Sequence, residues 1–364
     1  MHSNKKILIT GGAGFVGSSL AIALKRDLEM SAVTALDNLK RRGSELALDR
    51  LLSNGVKFLH GDIRQPEDIA EAGPFDLLIE CSAEPSVHAG YESNPRYLID
   101  TNLVGTTHCL EAARQNCADV VFLSTSRVYP IATLRDLPLQ AKGQRFTIPH
   151  GESGRGWSEQ GISEEFAVTG ARSLYGATKL ASELLLVEYG SMYGLRTIIN
   201  RCGVLTGPWQ MGKVDQGFVT LWAARHLYGG TIKYLGFGGQ GHQVRDILHV
   251  SDLYALLRHQ LDHLEIANGK TFNVGGGRSN SVSLSELTQL CEEFSGNDLR
   301  ISGEPYSRDA DIPWYITDST QAQSCFDWQP AYSVETIVKE IFDWLVEHRS
   351  KLVPILGNSN TLSG

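Results

Sequence analysis

Two side chains able to move a proton stand four residues apart in a segment with helical periodicity. Tyr175 and Lys179 therefore place a phenol and an ammonium group on one helix face. A phenol with its ordinary pKa of about 10 is a poor base near neutral pH. A nearby cation stabilises the phenolate, so the pair can take a proton from an alcohol while a hydride leaves its carbon. The spacing alone is common by chance, and an ordinary surface pair is the alternative.

Three glycines near the N-terminus have the spacing of a dinucleotide-binding loop. Gly11, Gly14 and Gly17 lie between a predicted strand and a predicted helix. The first lets the chain turn, the second lets the backbone approach a pyrophosphate, and the third lets the helix pack close to the sheet. The N–H groups of the helix N-terminus then favour an anion. Glycines also form ordinary loops, but the position in the first strand–helix unit favours the dinucleotide site.

The end of the second predicted strand indicates which dinucleotide is bound. The carboxylate of Asp37 can accept hydrogen bonds from ribose hydroxyls and repels a 2′-phosphate, which favours NAD over NADP. The basic run at positions 40–42 can hold such a phosphate or form a solvated loop. Asp62 and Ile63, after the third strand, stand where an adenine edge would lie, with a structural turn as the alternative.

The composition restricts the class of protein. The chain has 364 residues, of which 42% are hydrophobic and 20% charged, so it can bury a large core. Its net charge of −8 argues against a dedicated nucleic-acid binder. No apolar run approaches the ~20 residues of a membrane helix, and the apolar run after the basic N-terminus is too short for a signal peptide. The six cysteines lack zinc-ligand spacing, which predicts core thiols in a reducing cytoplasm and no metal site.

Strand and helix patterns alternate over the first 200 residues. We predict buried strands over 6–10, 32–36, 56–60, 76–80, 119–124 and 196–201, and helices over 16–26, 97–115 and 174–193. This order predicts a doubly wound parallel α/β sheet, the Rossmann fold, with a smaller α/β lobe after it. We expect residues 1–201 plus about 242–270 in the NAD domain, about 202–241 plus 271–350 in the substrate lobe, and a tail at 353–364. Within the second lobe, Ser283 and Glu286 form a predicted capping box, and a helix is expected over 334–348.

Taken together, the motifs resemble the extended short-chain dehydrogenase/reductase family, which contains nucleotide-sugar epimerases and dehydratases. Beyond the glycines and the Tyr175/Lys179 pair, the resemblance rests on segments 81–87, 102–106, 124–129, 239–246, 272–275 and 308–311, and on Arg201. It implies a tightly held NAD and a nucleoside-diphosphate-sugar substrate. The implied cofactor contacts are Gly11, Gly14, Phe15, Val16, Gly17, Asp37, Asn38, Asp62, Ile63, Ser82, Ala83, Asn102, Ser124, Tyr175, Lys179 and Cys202. The implied substrate contacts are Ser86, Ser126, Arg127, Gln216, Arg245 and Arg308.

Two of those arginines have a more specific expected role. Arg245 and Arg308 are candidate pyrophosphate partners, because a guanidinium matches phosphate oxygens, although either can instead form a structural ion pair.

The residues after the fifth strand distinguish reactions within this family. The 4,6-dehydratases carry Thr-Asp-Glu there, an acid and a base that eliminate water. Here Thr125 is followed by Ser126 and Arg127, so that machinery is missing and epimerisation remains. Thr125 can still hydrogen-bond the reacting hydroxyl and share its proton with Tyr175, which makes Thr125, Tyr175 and Lys179 the predicted catalytic residues.

Several departures from an ordinary 4-epimerase resemble the CDP-paratose (CDP-tyvelose) 2-epimerase branch. The segment 131–162 is long, and Arg201-Cys202-Gly203-Val204 lacks the family's phosphate-contacting asparagine. Segments 37–39, 215–217 and 243–246 also resemble that branch. The implied reaction oxidises C2 with NAD, lets the keto sugar turn, and returns the hydride to the opposite face. A UDP-hexose or UDP-uronate 4-epimerase and a catalytically silent NAD-binding member are the alternatives.

Two further expectations concern the long segment and assembly. Segment 131–162, with Trp157 and several glycines, is either a lid over the sugar or a surface excursion. Helices 97–115 and 174–193 correspond to the pair through which the family forms dimers, so a homodimer or homotetramer is implied. Packing of the same apolar stripe on the sheet is the alternative.

Overall fold

A seven-stranded parallel sheet forms the centre of the protein. The computed structural model describes residues 4–91, 94–213 and 216–357. Across the sheet the strands run Lys270–Val274, Thr197–Cys202, Asp119–Thr125, Leu77–Glu80, Lys6–Thr10, Ala32–Asp37 and Lys57–His60. The predicted α/β fold class is confirmed, and all six predicted strands lie within one residue of the observed ends. The strands are rich in buried apolar side chains because helices cover both faces.

The strand order reverses at one place in the sheet. Lys6–Thr10 has Ala32–Asp37 on one side and Leu77–Glu80 on the other, so the chain winds outward in both directions from this point. In open α/β sheets the crevice beyond the carboxyl ends at such a point is where ligands bind. The helices packed around the sheet are Phe15–Asp27, Ala47–Ser53, Pro66–Ala70, Arg96–Ile99, Thr106–Asn116, Leu174–Tyr193, Val250–Asp262, Leu264–Ala267 and Thr320–Phe326.

The helix predicted over 97–115 is broken into three parts. A π-helical stretch, Asp100–Gly105, separates Arg96–Ile99 from Thr106–Asn116. Here Thr106 and Thr107 donate their hydroxyls to the carbonyls of Asn102 and Leu103, at 2.9 and 3.0 Å. Such side-chain bonds compete for the carbonyls that a regular helix would use. The widened turn places Asn102 in the interior, where it is fully buried.

A smaller lobe follows, with its own sheet and apolar core. Its sheet contains Val204–Thr206, Val244–His249, Ser281–Ser283 and Trp314–Tyr315, and a separate parallel pair joins Lys233–Leu235 to Ser302–Glu304. Its helices are Phe218–Tyr228, Leu284–Ser295, Val334–Glu347 and Arg349–Leu356. The predicted capping box is confirmed: Ser283 Oγ accepts from the N–H of Glu286 at 3.1 Å, and the Glu286 carboxylate accepts from the N–H of Ser283 at 2.8 Å.

Three segments lie differently from the expected division of the chain. Lys270–Val274 joins the large sheet beside Thr197–Cys202, past the boundary expected near 270. Val244–His249, expected in the NAD domain, belongs to the smaller sheet. The helix Arg349–Leu356 occupies the start of the expected tail, because Leu352 and Leu356 are buried in the core of the smaller lobe. Residues 358–364 of that tail lie outside the described residues. The division into two functional lobes stays a prediction.

The long segment 131–162 is folded onto the smaller lobe. It contains a helix, Ile131–Arg135, and two short hairpins, Gln140–Lys142 with Arg145–Thr147 and Trp157–Ser158 with Gly161–Ile162. The Arg135 guanidinium donates to three carbonyls of segment 308–311, and Phe146 donates its N–H to the carbonyl of His242 at 2.9 Å. Among the described helices, none combines the length and the apolar character that crossing a membrane requires.

Candidate active site

One cavity of about 840 Å³ opens beyond the carboxyl ends of the sheet strands and is lined from both lobes. Nearly all of the predicted site residues line it. They are Gly11, Gly14, Phe15, Val16, Gly17, Asp37, Asn38, Asp62, Ile63, Ser82, Ala83, Ser124, Thr125, Ser126, Arg127, Tyr175, Lys179, Cys202, Gln216, Arg245 and Arg308. The topology therefore brings residues from positions 11 to 308 around one space.

Asn102 and Ser86 are absent from the residues that line the cavity, and their predicted direct contacts stay predictions. Asn102 Oδ1 accepts from the N–H of Glu84 at 2.7 Å, and Nδ2 donates to the carbonyl of Glu84 at 3.1 Å. The amide thus fixes the loop that carries Ser82 and Ala83 into the cavity. Ser86 Oγ accepts from the N–H of His88 at 3.3 Å and shapes the same loop.

The glycine loop fits a diphosphate. Gly11 has φ +63°, and a Cβ there would approach the carbonyl of Cys81 to 2.8 Å. A Cβ at Gly17 would overlap the carbonyl oxygen of Gly11, so the helix Phe15–Asp27 begins directly against the loop. Gly14 caps this helix without any side-chain hydrogen bond, and its first turn has no acidic residue. The N–H groups of this turn are consequently available to an anion in the cavity.

The Asp37 carboxylate lines the cavity and can accept hydrogen bonds from a ribose. Its carboxylate accepts from the N–H groups of Leu39 at 2.8 Å and Ala13 at 3.1 Å, which leaves lone pairs that face the cavity. Burial raises the pKa of Asp37, and these N–H groups oppose the rise. Such a carboxylate can accept hydrogen bonds from two ribose hydroxyls, and its charge repels a 2′-phosphate.

Each of the three basic residues after Asp37 has a contact partner in the structure. Lys40 Nζ lies 2.8 Å from the ring centroid of Tyr97. Arg41 donates to the carbonyl of Met211 at 2.7 Å and to the side-chain oxygen of Gln216. Arg42 donates to the carbonyl of Pro354 at 2.6 Å. The contacts of Arg41 and Arg42 join the loop to the smaller lobe, while Lys40 and Arg41 also line the cavity, so the two alternatives stay open.

At the other end of the predicted dinucleotide site, Asp62 holds its loop together. Its carboxylate pairs with Arg64 at 2.7 Å and accepts from Asn38 Nδ2 at 2.8 Å. Burial opposes ionisation, but these partners lower the pKa of Asp62 to about 2. Asp62 is therefore charged at neutral pH and both supports the turn and lines the cavity.

Tyr175 is held at the beginning of the helix Leu174–Tyr193. Ser173 caps this helix, since its Oγ accepts from the N–H of Gly176 at 3.2 Å. Gly176 is needed there because a Cβ would overlap the carbonyl oxygen of Arg127. The Tyr175 phenol lines the cavity together with the Thr125 side chain. Burial raises the pKa of Tyr175 to about 12, while the Thr125 hydroxyl and the charge of Arg127 act in the opposite direction.

Lys179 lies one turn further along, and it has a partner that the sequence did not reveal. Its side chain is 2% exposed, and Nζ lies 3.6 Å from Oε2 of Glu80, which is 1% exposed. Glu80 Oε1 accepts from the N–H of Ser82 at 2.9 Å. Burial raises the pKa of Glu80, and the charge of Lys179 opposes this. The sequence feature that could have indicated this partner is the single acidic residue at the end of the apolar strand Leu77–Glu80.

A second buried ion pair supports the strand ends behind the cavity. The Arg201 guanidinium binds the carboxylate of Glu183 through Nε at 3.1 Å and Nη2 at 2.7 Å. Ser124 also donates to Glu183. Burial opposes ionisation of Arg201, yet Glu183 raises its pKa above the ordinary value. This network fixes Ser124 next to Thr125.

Arginines give the cavity wall a positive charge. Arg308 is paired with Asp311 by two bonds of 3.0 Å, and His88 Nε2 lies 3.4 Å from the same carboxylate. Arg245 instead donates to the carbonyls of Val244 and Ile312 at 2.6 and 2.7 Å, and it forms no ion pair with any described residue. Burial lowers the pKa of Arg245 to about 9. Arg308 is thus an ion-pair partner, whereas Arg245 remains available to an anion.

Segment 131–162 contributes no residue to the cavity lining. Of the two alternatives left open by the sequence, a lid over the sugar and a surface excursion, the cavity lining supports the second. The sequence also missed an aromatic and apolar wall from the smaller lobe, because its residues come from separate loops and one helix. This wall includes Trp209, Phe218, Leu221, Trp222, Ile232 and Phe237.

Comparison with known proteins shows the family of this chain. Residues 7–275 match the model of the family described as "NAD dependent epimerase/dehydratase family". The chain is 31% identical to the CDP-paratose 2-epimerase of Salmonella typhi, over 93% of this chain and 98% of that protein. It is 28% identical to a dTDP-glucose 4,6-dehydratase of Mycobacterium tuberculosis, over 85% and 87%.

A solved structure also matches this chain over almost its whole length. The UDP-glucose 4-epimerase of Thermus thermophilus, crystallised with NAD, matches with a TM-score of 0.73 and 25% identity, over 94% of this chain and 99% of that one. NAD is thereby confirmed as the cofactor. The predicted glycine loop and Asp37 line the cavity, and their contacts with NAD stay predictions. The chain belongs to the NAD-dependent epimerase/dehydratase family of extended short-chain dehydrogenases/reductases.

Proposed function

We propose that this protein is an NAD-dependent epimerase of a nucleoside-diphosphate sugar, of the CDP-paratose 2-epimerase type. The observation that carries the proposal is that Thr125, Tyr175 and Lys179 line the same cavity as the glycine loop. One cavity thereby holds both a group that can accept a proton, the Tyr175 phenol, and a site for a dinucleotide. The likeness to the Salmonella enzyme over almost the whole chain supports the choice of reaction.

The direction of the hydrogen bonds prepares Tyr175 to act as a base. The backbone N–H of Arg127 donates to Thr125 Oγ1 at 3.2 Å, so that oxygen is already used as an acceptor. The Thr125 hydroxyl then has its proton free to donate to the phenolate oxygen of Tyr175. This arrangement stabilises the deprotonated form, which takes the proton of a sugar hydroxyl. When bound, NAD supplies a positive charge and accepts and returns the hydride of the sugar carbon.

The diphosphate of the substrate is assigned to Arg245. Its guanidinium lines the cavity, and only carbonyl oxygens accept its protons among the described residues. A phosphate oxygen would compensate the buried charge. The aromatic wall that includes Trp222 and Phe237 offers faces for the nucleotide base. Arg308 lies close by with Asp311 and contributes a second donor once that pair rearranges.

The chemistry at the end of the strand Asp119–Thr125 favours epimerisation over dehydration. Ser126 and Arg127 line the cavity next to Thr125. Neither can act as the acid–base pair of carboxylates that elimination of water requires. A redox step at one carbon therefore remains as the reaction that the side chains support.

Turnover of a small panel of nucleotide sugars tests the proposal. CDP- and UDP-sugars are incubated with the purified protein, separated by chromatography, and the inverted centre is identified by NMR. We expect a CDP-sugar to be inverted at C2, with the Tyr175→Phe variant as the inactive control. Inversion at C4 of a UDP-hexose or UDP-uronate would replace the C2 assignment with the 4-epimerase alternative. A silent NAD-binding protein would leave every sugar unchanged.

The exposed face of the helix Leu174–Tyr193 supports a homodimer. Leu184 and Val187 are 62% and 51% exposed, and Met192 is 67% exposed, so this stripe does not pack on the sheet. A second copy of the same helix would cover it. Sedimentation at micromolar protein measures the assembly, and a monomer would reject it. The cytoplasmic location stays a prediction.

A further inference from the structure

One loop of the smaller lobe, residues 308–312, carries three side chains into the cavity. Arg308, Asp311 and Ile312 line the space that is proposed to hold the substrate diphosphate. The loop ends before the strand Trp314–Tyr315 and contains neither helix nor strand. The Asp311 carboxylate is bound by Arg308 and lies 3.4 Å from His88 Nε2. Because no ladder of backbone bonds fixes this loop, its carbonyl groups need donors from elsewhere in the chain.

Two arginines of the cavity wall supply donors to the second half of the loop. Arg127 Nη1 donates to the carbonyl of Ala310 at 3.1 Å, and Arg245 Nη2 donates to the carbonyl of Ile312 at 2.7 Å. Both arginines line the cavity. A phosphate oxygen competes for their donors, because a hydrogen bond between two charged groups is stronger than one to a neutral carbonyl. A bound diphosphate therefore weakens the hold of these two arginines on the loop.

A third arginine, Arg135, holds the loop from outside the cavity. Its Nη2 donates to the carbonyls of Arg308 at 2.7 Å and Asp309 at 3.2 Å, and its Nε donates to the carbonyl of Asp311 at 2.9 Å. Arg135 ends the helix Ile131–Arg135, is exposed, and is absent from the described residues that line the cavity. Every carbonyl from 308 to 312 thus accepts a hydrogen bond from an arginine side chain, and the three bonds of Arg135 lie out of reach of a diphosphate.

We propose that Arg135 is a positioning residue of the diphosphate site. It keeps the loop 308–312, and with it the Arg308 side chain, in place when the substrate draws Arg127 and Arg245 toward itself. A planar guanidinium suits this task, because its donors point in fixed directions and two of its nitrogens serve three carbonyls. The long segment 131–162 thereby acts on substrate binding without lining the cavity. This inference rests on the proposed nucleoside-diphosphate substrate.

Binding of a nucleoside diphosphate without its sugar tests this assignment. CDP and UDP are titrated into the NAD-loaded protein by isothermal titration calorimetry, and the tighter ligand is then used for the variants. In Arg135→Gln we expect the Kd to rise by about tenfold, because the loop must then be ordered on binding. Arg135→Lys keeps the positive charge but lacks the fork of donors, so its Kd is expected to stay close to that of Arg135→Gln.

Arg145→Gln is the matched control. Arg145 belongs to the same segment and also contacts the smaller lobe, but its partners are the hydroxyl of Ser281 and the carboxylate of Glu286, 3.5 Å from Nη1. The substitution removes an equal charge from the same segment and leaves the loop 308–312 untouched. We expect its Kd to stay within about twofold of the parent value. Circular dichroism and NAD content establish that each variant is folded and loaded.

Turnover distinguishes positioning from a general loss of structure. With the nucleotide sugar that the parent protein converts, Arg135→Gln is expected to raise the KM by a similar factor. The kcat is expected to change by less than about threefold, because the reacting groups Thr125 and Tyr175 belong to the other lobe.

Three results would overturn the assignment and leave the proposed function intact. An unchanged Kd and KM in Arg135→Gln would show that the other contacts hold the loop by themselves. Recovery of the parent affinity in Arg135→Lys would show that the charge at position 135, and not its hydrogen bonds, attracts the ligand. An equal rise of the Kd in Arg145→Gln would assign the effect to the stability of the whole segment. If neither CDP nor UDP binds the parent protein, the proposed function itself is contradicted.

Discussion

Lys179 and Glu80 form an ion pair inside the core, with Nζ 3.6 Å from Oε2 and both side chains at most 2% exposed. Glu80 ends one strand of the sheet, and Lys179 lies on the helix Leu174–Tyr193, which packs on the strands Asp119–Thr125 and Thr197–Cys202. Such a pair gains little net stability over apolar residues, but the loss of one partner leaves an uncompensated charge. The pair therefore restricts what can be substituted at either position.

The pair can be tested by unfolding in urea at neutral pH. Lys179→Met is expected to lower the free energy of unfolding by on the order of 3 kcal/mol, because Glu80 is left buried without its cation. Adding Glu80→Gln to that variant is expected to recover much of the loss. If the two single losses simply add in the double variant, the residues do not interact as the structure describes.

Tyr175→Phe tests the base without removing the ring. We expect turnover to fall by about 10²- to 10⁴-fold, since the phenol provides the proton acceptor. NAD content after purification is expected to stay the same. Tyr189→Phe is a suitable control, because that hydroxyl lies 3.5 Å from Glu111 on the helix surface and is outside the cavity. Equal losses of turnover in both variants would show that Tyr175 is not the base.

Asp37→Asn tests how the cofactor is selected. The amide oxygen still accepts one hydrogen bond from the loop, but the negative charge is lost. We expect NAD affinity to fall by about tenfold and the preference over NADP to narrow, because a charged acceptor is worth more than a neutral one. Equilibrium dialysis with both dinucleotides measures this. Asp76→Asn, which alters a carboxylate bound to the N–H of Lys6, should change neither affinity.

The raised pKa of Asp246 makes the free energy of unfolding depend on pH. Burial raises its pKa to about 6 from 3.8, while the hydroxyl of Thr317 and the N–H of Gly277 oppose the rise. A raised pKa in the folded state means that its stabilising effect is complete below pH 3.8 and is lost as the pH rises through about 6.

The matched variant is Asp246→Asn, which cannot ionise. We expect its free energy of unfolding, relative to the parent protein, to increase by about 3 kcal/mol between about pH 4 and pH 7. Urea unfolding at several pH values gives the difference directly. A constant difference over this range would show that Asp246 titrates in the folded protein as it does in water.

The parts of the fold and site that could be predicted from sequence are those that local patterns determine. The loop of Gly11, Gly14 and Gly17 and the pair Tyr175/Lys179 have fixed spacing within one element, and the buried strands have apolar runs of a recognisable length. The strand Lys270–Val274 was not foreseen, since its place beside Thr197–Cys202 depends on packing between segments 70 residues apart.

The remaining features depend on contacts between distant elements. In the sequence, Glu80 is a single acidic residue at the end of an apolar strand. Its partner Lys179 comes from the distant helix Leu174–Tyr193. Asn102 matches a family motif, yet the π-helical stretch turns it toward Glu84 and away from the cavity. The position of segment 131–162 is set by carbonyl acceptors around Arg308, which no pattern within the segment indicates.

In the proposed reaction a hydride leaves the sugar ring at C2 and returns to the same carbon on the opposite face. A CDP-sugar labelled with deuterium at C2 tests it most directly, with the product followed by NMR in ordinary water. We expect a product inverted at C2 that keeps its deuterium, with no net reduction of the cofactor. A product inverted only at C4, or one in which the deuterium has been lost to the solvent, would contradict it.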